Sequence, residues 1–279
     1  MASADREIRD VDKGSEPLLE KTLQQAQITA DKIGLRLYRL FGGEIANFLH
    51  IPKSGGSAIK NALRGNLKTD RYRIHLRGHS CRLDEIPVGD KFFFCLRSPE
   101  KRFVSAFNGK QIDDNRWQHT KYAAETAALE RFHTANHLAE SLSSSDLQTR
   151  QAAEQAMVSI EHVNTFYLDW FVSKDYFLSR LPDALYIGFQ ENLASDFDDI
   201  KQILGLPETV SLPPLNSARS NAIASKLERK PDTTLTAQAR ENLAQWYADD
   251  YDFFEFCQSH RDEVNNRYIH SASSKLVKV

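Results

Sequence analysis

Lys91 is followed by five consecutive apolar residues, Phe92-Phe93-Phe94-Cys95-Leu96, and the run is closed by Arg97-Ser98-Pro99. A strand that is apolar at every position has no solvent face. It must be covered on both sides, as a central strand of a parallel sheet is covered by helices. The chain around it supplies the rest of such a fold. Ile45 to Ile51 reads as a buried strand, Tyr72 to His75 as a short one and Leu185 to Phe189 as another. Helical patterns lie between them. One runs from Ala58 to Arg64 and stops at Gly65. A second starts at Pro99 and carries Phe103, Val104 and Phe107. Trp117 to Leu181 is helical with a Ser-rich break at Ser141 to Ser145, another helix ends at Leu204, and Leu235 to Ser259 is the last. The alternation predicts an α/β domain with a parallel central sheet flanked by helices.

The core domain is expected over residues 45–260. Met1 to Glu16 reads as a flexible tail and 261–279 as a C-terminal tail. Within 17–44, Pro17 opens a helix to Phe41, with Leu19, Leu23, Ala26, Ile33, Leu37 and Leu40 on one face. Gly42-Gly43 ends it. Lys and Arg number 36 and Asp and Glu 38, a formal charge of −2 in 279 residues. Nucleic-acid binding through many phosphate contacts is therefore not expected, and any basic site must be local. Cys81, Cys95 and Cys257 are too far apart for a Cys-x-x-Cys pair and odd in number, which reads as buried reduced thiols. No run of 18 apolar residues suggests a transmembrane helix. The start of the chain lacks the apolar stretch of a secretory signal. The expectation is a soluble, cytoplasmic protein.

The segment His50-Ile51-Pro52-Lys53-Ser54-Gly55-Gly56-Ser57 joins a buried strand to a helix. Such a loop aims backbone N–H groups, backed by the positive end of the helix dipole, at one point. Gly55 and Gly56 permit close approach of an anion, Lys53 adds a full positive charge, and Ser54 and Ser57 add hydroxyls. This is a phosphate-binding pattern, although an ordinary strand-to-helix turn with a solvated lysine also fits it. It is not a Walker A loop, because the lysine precedes the glycines.

Arg97 stands at the C-terminal end of the central strand, the edge where open α/β sheets bind ligands. Ser105 lies two helical turns further on. A guanidinium fork and a hydroxyl suit a second, separate phosphate. Taken alone, Arg97 is equally explained by a surface ion pair. His133 and His137 have an i, i+4 spacing, but no His-Glu-x-x-His motif and no third ligand accompany them, so no metal is expected.

Together, Pro52 to Ser57 and Arg97 to Ser105 resemble the 5′-phosphosulfate loop and the 3′-phosphate element of sulfotransferases that use 3′-phosphoadenosine-5′-phosphosulfate. Gly78-His79-Ser80 resembles the Gly-His element of the carbohydrate-type branch, which includes the heparan and dermatan 2-O-sulfotransferases. Tyr186 to Leu193 and Leu235 to Phe254 resemble the family's later strand-to-helix element and its C-terminal helix. The resemblance covers roughly residues 45 to 256. The Arg-Lys-Gly element of the cytosolic small-molecule enzymes is missing; Arg229 and Lys230 stand in a comparable region.

The resemblance implies a P-loop-like sheet with a helical acceptor-side insertion. It also implies sulfuryl transfer to a hydroxyl-bearing acceptor, a carbohydrate or glycolipid, without a metal. Lys53 would stabilise the leaving phosphate, and the amides from Ser54 through Gly55, Gly56, Ser57 and Ala58 would cradle it. Arg97 and Ser105 would hold the 3′-phosphate. His79 would be the catalytic base, with His75 its rival. The region from Trp117 to Ser173 would form the acceptor wall, with His162, Arg116, Lys121 and Arg131 as candidates there. The alternative is a regulatory module that binds phosphoadenosine phosphate without transfer.

Overall fold

A computed structural model describes residues 33–111, 123–214 and 232–276, with side chains to 268. The Met1–Glu16 tail, the Pro17 end of the first helix, Arg116, Trp117, Lys121, Arg229 and Lys230 lie outside the described residues. The chain divides into two units after Ile45. In the first unit, residues 33–40 are helical. Gly42 takes φ 79° after them, and Gly43 lies under the Tyr38 ring so closely that a Cβ there would come within 2.3 Å of it.

The second unit is built on four strands: β1 (Glu44–Leu49), whose first two residues belong to the preceding unit, β2 (Tyr72–Leu76), β3 (Lys91–Leu96) and β4 (Ala184–Phe189). Their order is β2-β1-β3-β4 in an all-parallel sheet, with Phe48 opposite Phe93 and Cys95 opposite Gly188. The apolar run of β3 does what its composition requires. Phe92, Phe94 and Leu96 enter one buried cluster, Phe93 and Cys95 the cluster on the opposite face. The α-helices are α1 (Gly56–Leu63), α2 (Pro99–Gln111), α3 (Ala123–Arg131), α4 (Ala135–Ser141), α5 (Leu147–Ser159), α6 (Leu168–Phe171), α7 (Lys174–Arg180), α8 (Leu193–Leu204), α9 (Ala237–Trp246) and α10 (Ala248–Leu276), while β2 leads to β3 through a 3₁₀ turn at Leu83–Glu85.

Phe103 and Phe107 of α2 pack with residues of α3, α4, α5 and α9 into a third core. That core is the helical insertion, broken at the Ser-rich segment as the sequence reading expects. The segment read as a C-terminal tail from 261 is instead the second half of α10. Its Asn265 side chain pairs with both the N–H (2.9 Å) and the C=O (3.2 Å) of Ile187. A side-chain amide thus satisfies one N–H and one C=O on the open edge of β4, at its middle, where an unpaired edge would invite strand pairing. All three cysteines are free and buried, and no described helix is long and apolar enough to cross a membrane.

Candidate active site

Strand order reverses direction around β1, so the crevice beyond the C-terminal ends of β1 and β3 is the switch point where such sheets bind ligands. The loop after β1 fills it. Lys53 takes φ 63° and Gly55 φ 85°, and Gly55 is the N-cap of α1. The first helical hydrogen bonds run from Ala58 N and Ile59 N to Gly55 O. The amides of Gly56 and Ser57 therefore precede the hydrogen-bonded ladder and are available to an anion. A Cβ on Gly56 would come within 2.1 Å of the His50 ring, and one on Gly109 of α2 would lie 2.5 Å from Lys53 Nζ. Glycine at 56 is what lets the histidine ring pack where it does, while at 109 the flexible end of Lys53 would have to move aside.

Lys53, Gly55, Gly56, Ser57 and Ala58 line one cavity of about 320 Å3 with His79, Arg97 and Ser105. The two phosphate-type elements and the predicted base are thereby brought together. The Ser54 hydroxyl does not join them. Ser54 is fully buried and its Oγ turns back to the carbonyl of Pro52 at 3.5 Å, so of the two loop serines Ser57 is the one on the lining. His75, the rival base, stands on β2 and is not part of the lining.

His50, His162 and Gln190 complete the wall. His50 is buried behind His79, their ring centroids 3.9 Å apart. Burial and the neighbouring His79 and Lys60 charges push its pKa down to about 3. His162 comes from the insertion, in a left-handed turn at φ 70°, 5.8 Å from the His79 ring. Burial lowers its pKa to about 4 against the opposing pull of Glu161. His79 reaches solvent, and its pKa is lowered by burial, then by the charge of Lys60, with Glu161 opposing. Lys60 itself donates to the carbonyl of Arg77 at 2.9 Å, and Trp170 Nε1 holds the carbonyl of His79 at 2.6 Å.

Arg97 is half-buried, and burial lowers its pKa. Its guanidinium donates to the carbonyl of Lys53 at 3.4 Å, while Nε has no hydrogen-bond partner among the described residues. A second cavity of about 300 Å3 opens beside Arg97, lined also by Lys101, Thr233 and Arg240. Arg131, by contrast, lies on the surface against Thr149. His133 precedes α4 while His137 is inside it, so the two do not share a helix face. No group of three or more metal-ligating side chains occurs among the described residues.

Sequence reasoning passed over His50 and Gln190. His50 carried a weak signal, being the polar residue that ends an apolar strand beside the glycine loop. Gln190 carried none beyond its place after β4.

A model of the sulfotransferase family matches residues 46–257, from β1 into α10. The chain belongs to the sulfotransferase family. It is a sulfotransferase enzyme, and the match spans both phosphate-type elements and His79. No curated protein and no solved structure matches the chain.

Proposed function

We propose that the enzyme moves a sulfuryl group from 3′-phosphoadenosine-5′-phosphosulfate to a hydroxyl of a carbohydrate or glycoconjugate. The observation that supports this most is the meeting of the Lys53 loop, His79, Arg97 and Ser105 on one cavity. The residues fit a bis-anionic nucleotide. Two cationic side chains face the space, and the buried Arg97 Nε has no hydrogen-bond partner among the described residues.

The bound nucleotide supplies the sulfuryl group and a phosphate leaving group. Lys53 places a full positive charge where negative charge collects as the S–O bond breaks, an electrostatic contribution of the kind that dominates such transfers. The amides of Gly56 and Ser57 and the Ser57 hydroxyl hold the 5′-phosphate, and Arg97 and Ser105 hold the 3′-phosphate. His79 takes the acceptor proton. Because its pKa lies below the ordinary 6.5, the imidazole is neutral and able to accept at neutral pH. The Gly78-His79-Ser80 element favours a carbohydrate acceptor. The three free, buried thiols fit a reducing compartment, and we read the enzyme as cytoplasmic.

The test is transfer of 35S label from the nucleotide donor to polysaccharide, glycolipid and small hydroxylated acceptors. Labelled carbohydrate that disappears in His79→Ala is the expected result. Label only on small metabolites would overturn the acceptor class, and label on none of these acceptors would overturn the proposed transfer.

A further inference from the structure

Tyr167 has no place in the cavity, yet it is bonded to the residue that matters most there. Its hydroxyl donates to the carbonyl of Arg97, and the Arg97 N–H lies 3.4 Å from the same oxygen. The ring is fully buried. Its own N–H donates to Asp250 Oδ1 at 2.7 Å, and the other oxygen of Asp250 is paired with Arg102 at 2.7 Å. The Arg102 guanidinium lies over the Tyr167 ring, 4.8 Å from its centroid. Tyr167 is therefore fixed from behind by a buried ion pair and grips Arg97 in front. Arg97 in turn donates to the carbonyl of Lys53, a residue held at φ 63°, where a side chain is unfavourable unless its surroundings hold it.

We infer that Tyr167 is a positioning residue for nucleotide recognition: it fixes the backbone of Arg97 so that the guanidinium meets the 3′-phosphate. This rests on the reading of Arg97 as the 3′-phosphate ligand. The helical insertion, on this inference, does more than face the acceptor. Three residues after Tyr167, Trp170 holds the backbone of His79, so one short turn braces both the nucleotide side and the base side of the cavity.

The experiment is calorimetric titration of 3′,5′-bisphosphoadenosine and adenosine 5′-phosphate into wild type, Tyr167→Phe and Tyr186→Phe. Tyr186 is the control, because its buried hydroxyl bonds Asp196 and Asp199 and lies outside the cavity lining. Tyr167→Phe removes one hydroxyl and should cut the preference for the bisphosphate about three- to tenfold, the span expected for one hydrogen bond. Tyr186→Phe should lower the melting temperature and leave the preference unchanged. Placed on Arg97→Ala, the Tyr167→Phe substitution should have almost no further effect on the preference, since it acts through Arg97.

An unchanged preference in Tyr167→Phe, or an equal loss in Tyr186→Phe, would overturn the inference. Should Tyr167→Phe be unfolded in plain buffer, the same titrations of every variant in sucrose, which favours the compact state, decide, and wild-type preference in Tyr167→Phe there overturns it equally. Absence of any preference in wild type is a different result, and it overturns the reading of Arg97 itself.

Discussion

Arg97 and Arg102 flank the start of α2, and their surroundings are opposite. Arg102 is buried against Asp250 at 2.7 Å and donates to the side chain and carbonyl of Thr165 at 3.1 and 2.5 Å. The Arg97 guanidinium donates to the carbonyl of Lys53 and has an open cavity beside it. An unbonded nitrogen does not by itself separate them, since Arg102 Nε also lacks a partner among the described residues. A carboxylate in direct contact does: Asp250 pairs with Arg102, whereas Glu191, the carboxylate whose charge reaches Arg97, bonds the Ser98 N–H and Lys101. A buried charge with its counterion is scaffold, and removing the counterion leaves it stranded at high cost. A half-buried charge facing a cavity is free to meet a ligand, which is the role proposed for Arg97.

Substitutions on the two sides should therefore fail in different ways. The largest effect is expected at His79, where alanine should lower turnover about 10²–10⁴-fold while the melting temperature and nucleotide affinity hold. His75→Ala, off the cavity, should stay within a few-fold of wild type. The reverse pattern would mean that the base is His75. On the scaffold side, Asp250→Asn should cost roughly 3–5 kcal/mol, a drop of about 10 °C in melting temperature. Arg97→Ala should stay within about 2 °C on the same scan. Equal melting losses would erase the contrast between the two arginines.

Lys53→Ala should reduce turnover about 10²–10³-fold with the fold intact, and near-normal turnover in a folded variant would remove its role. Smaller effects concern pH. The acid limb of the rate profile should have its midpoint below 6.5, because burial and Lys60 lower the pKa of His79. Lys60→Gln should move that midpoint upward, and no movement would remove Lys60 from the field around His79. Stability should also fall on acidification. His50 has a pKa of about 3 in the folded chain against 6.5 when free, so between those values the unfolded chain binds the extra proton. The loss is at most about 1.4 kcal/mol per pH unit from this group. His50→Gln should flatten the slope of melting temperature against pH below 6.5.

The sheet was legible because β3 has no polar face and because glycine, proline and serine mark where strands turn into helices. Both phosphate-type elements were legible because they sit in local sequence at strand ends. What the sequence hid is long-range. Tyr167 and Trp170 look like ordinary core aromatics of a helical segment, and only the fold puts them against Arg97 and His79. Asp250 sits on a mixed polar and aromatic stretch that gives no sign of a buried counterion. The orientation of the Ser54 hydroxyl was not legible because a loop serine is equally able to face a ligand or its own backbone. The helix from 261 onward was missed because Val264 and Asn265 are isolated buried positions in a polar stretch, too sparse to show an apolar face.

Calorimetric titration of 3′,5′-bisphosphoadenosine and adenosine 5′-phosphate into wild type and Arg97→Ala tests the central claim most directly. A charge-assisted phosphate contact is worth on the order of 1.5–3 kcal/mol. Wild type should therefore prefer the bisphosphate by at least about tenfold, and Arg97→Ala should lose most of that preference while still binding through the Lys53 loop. Equal affinities in wild type would contradict the assignment of Arg97 and Ser105 to a 3′-phosphate, and with it the nucleotide sulfate donor.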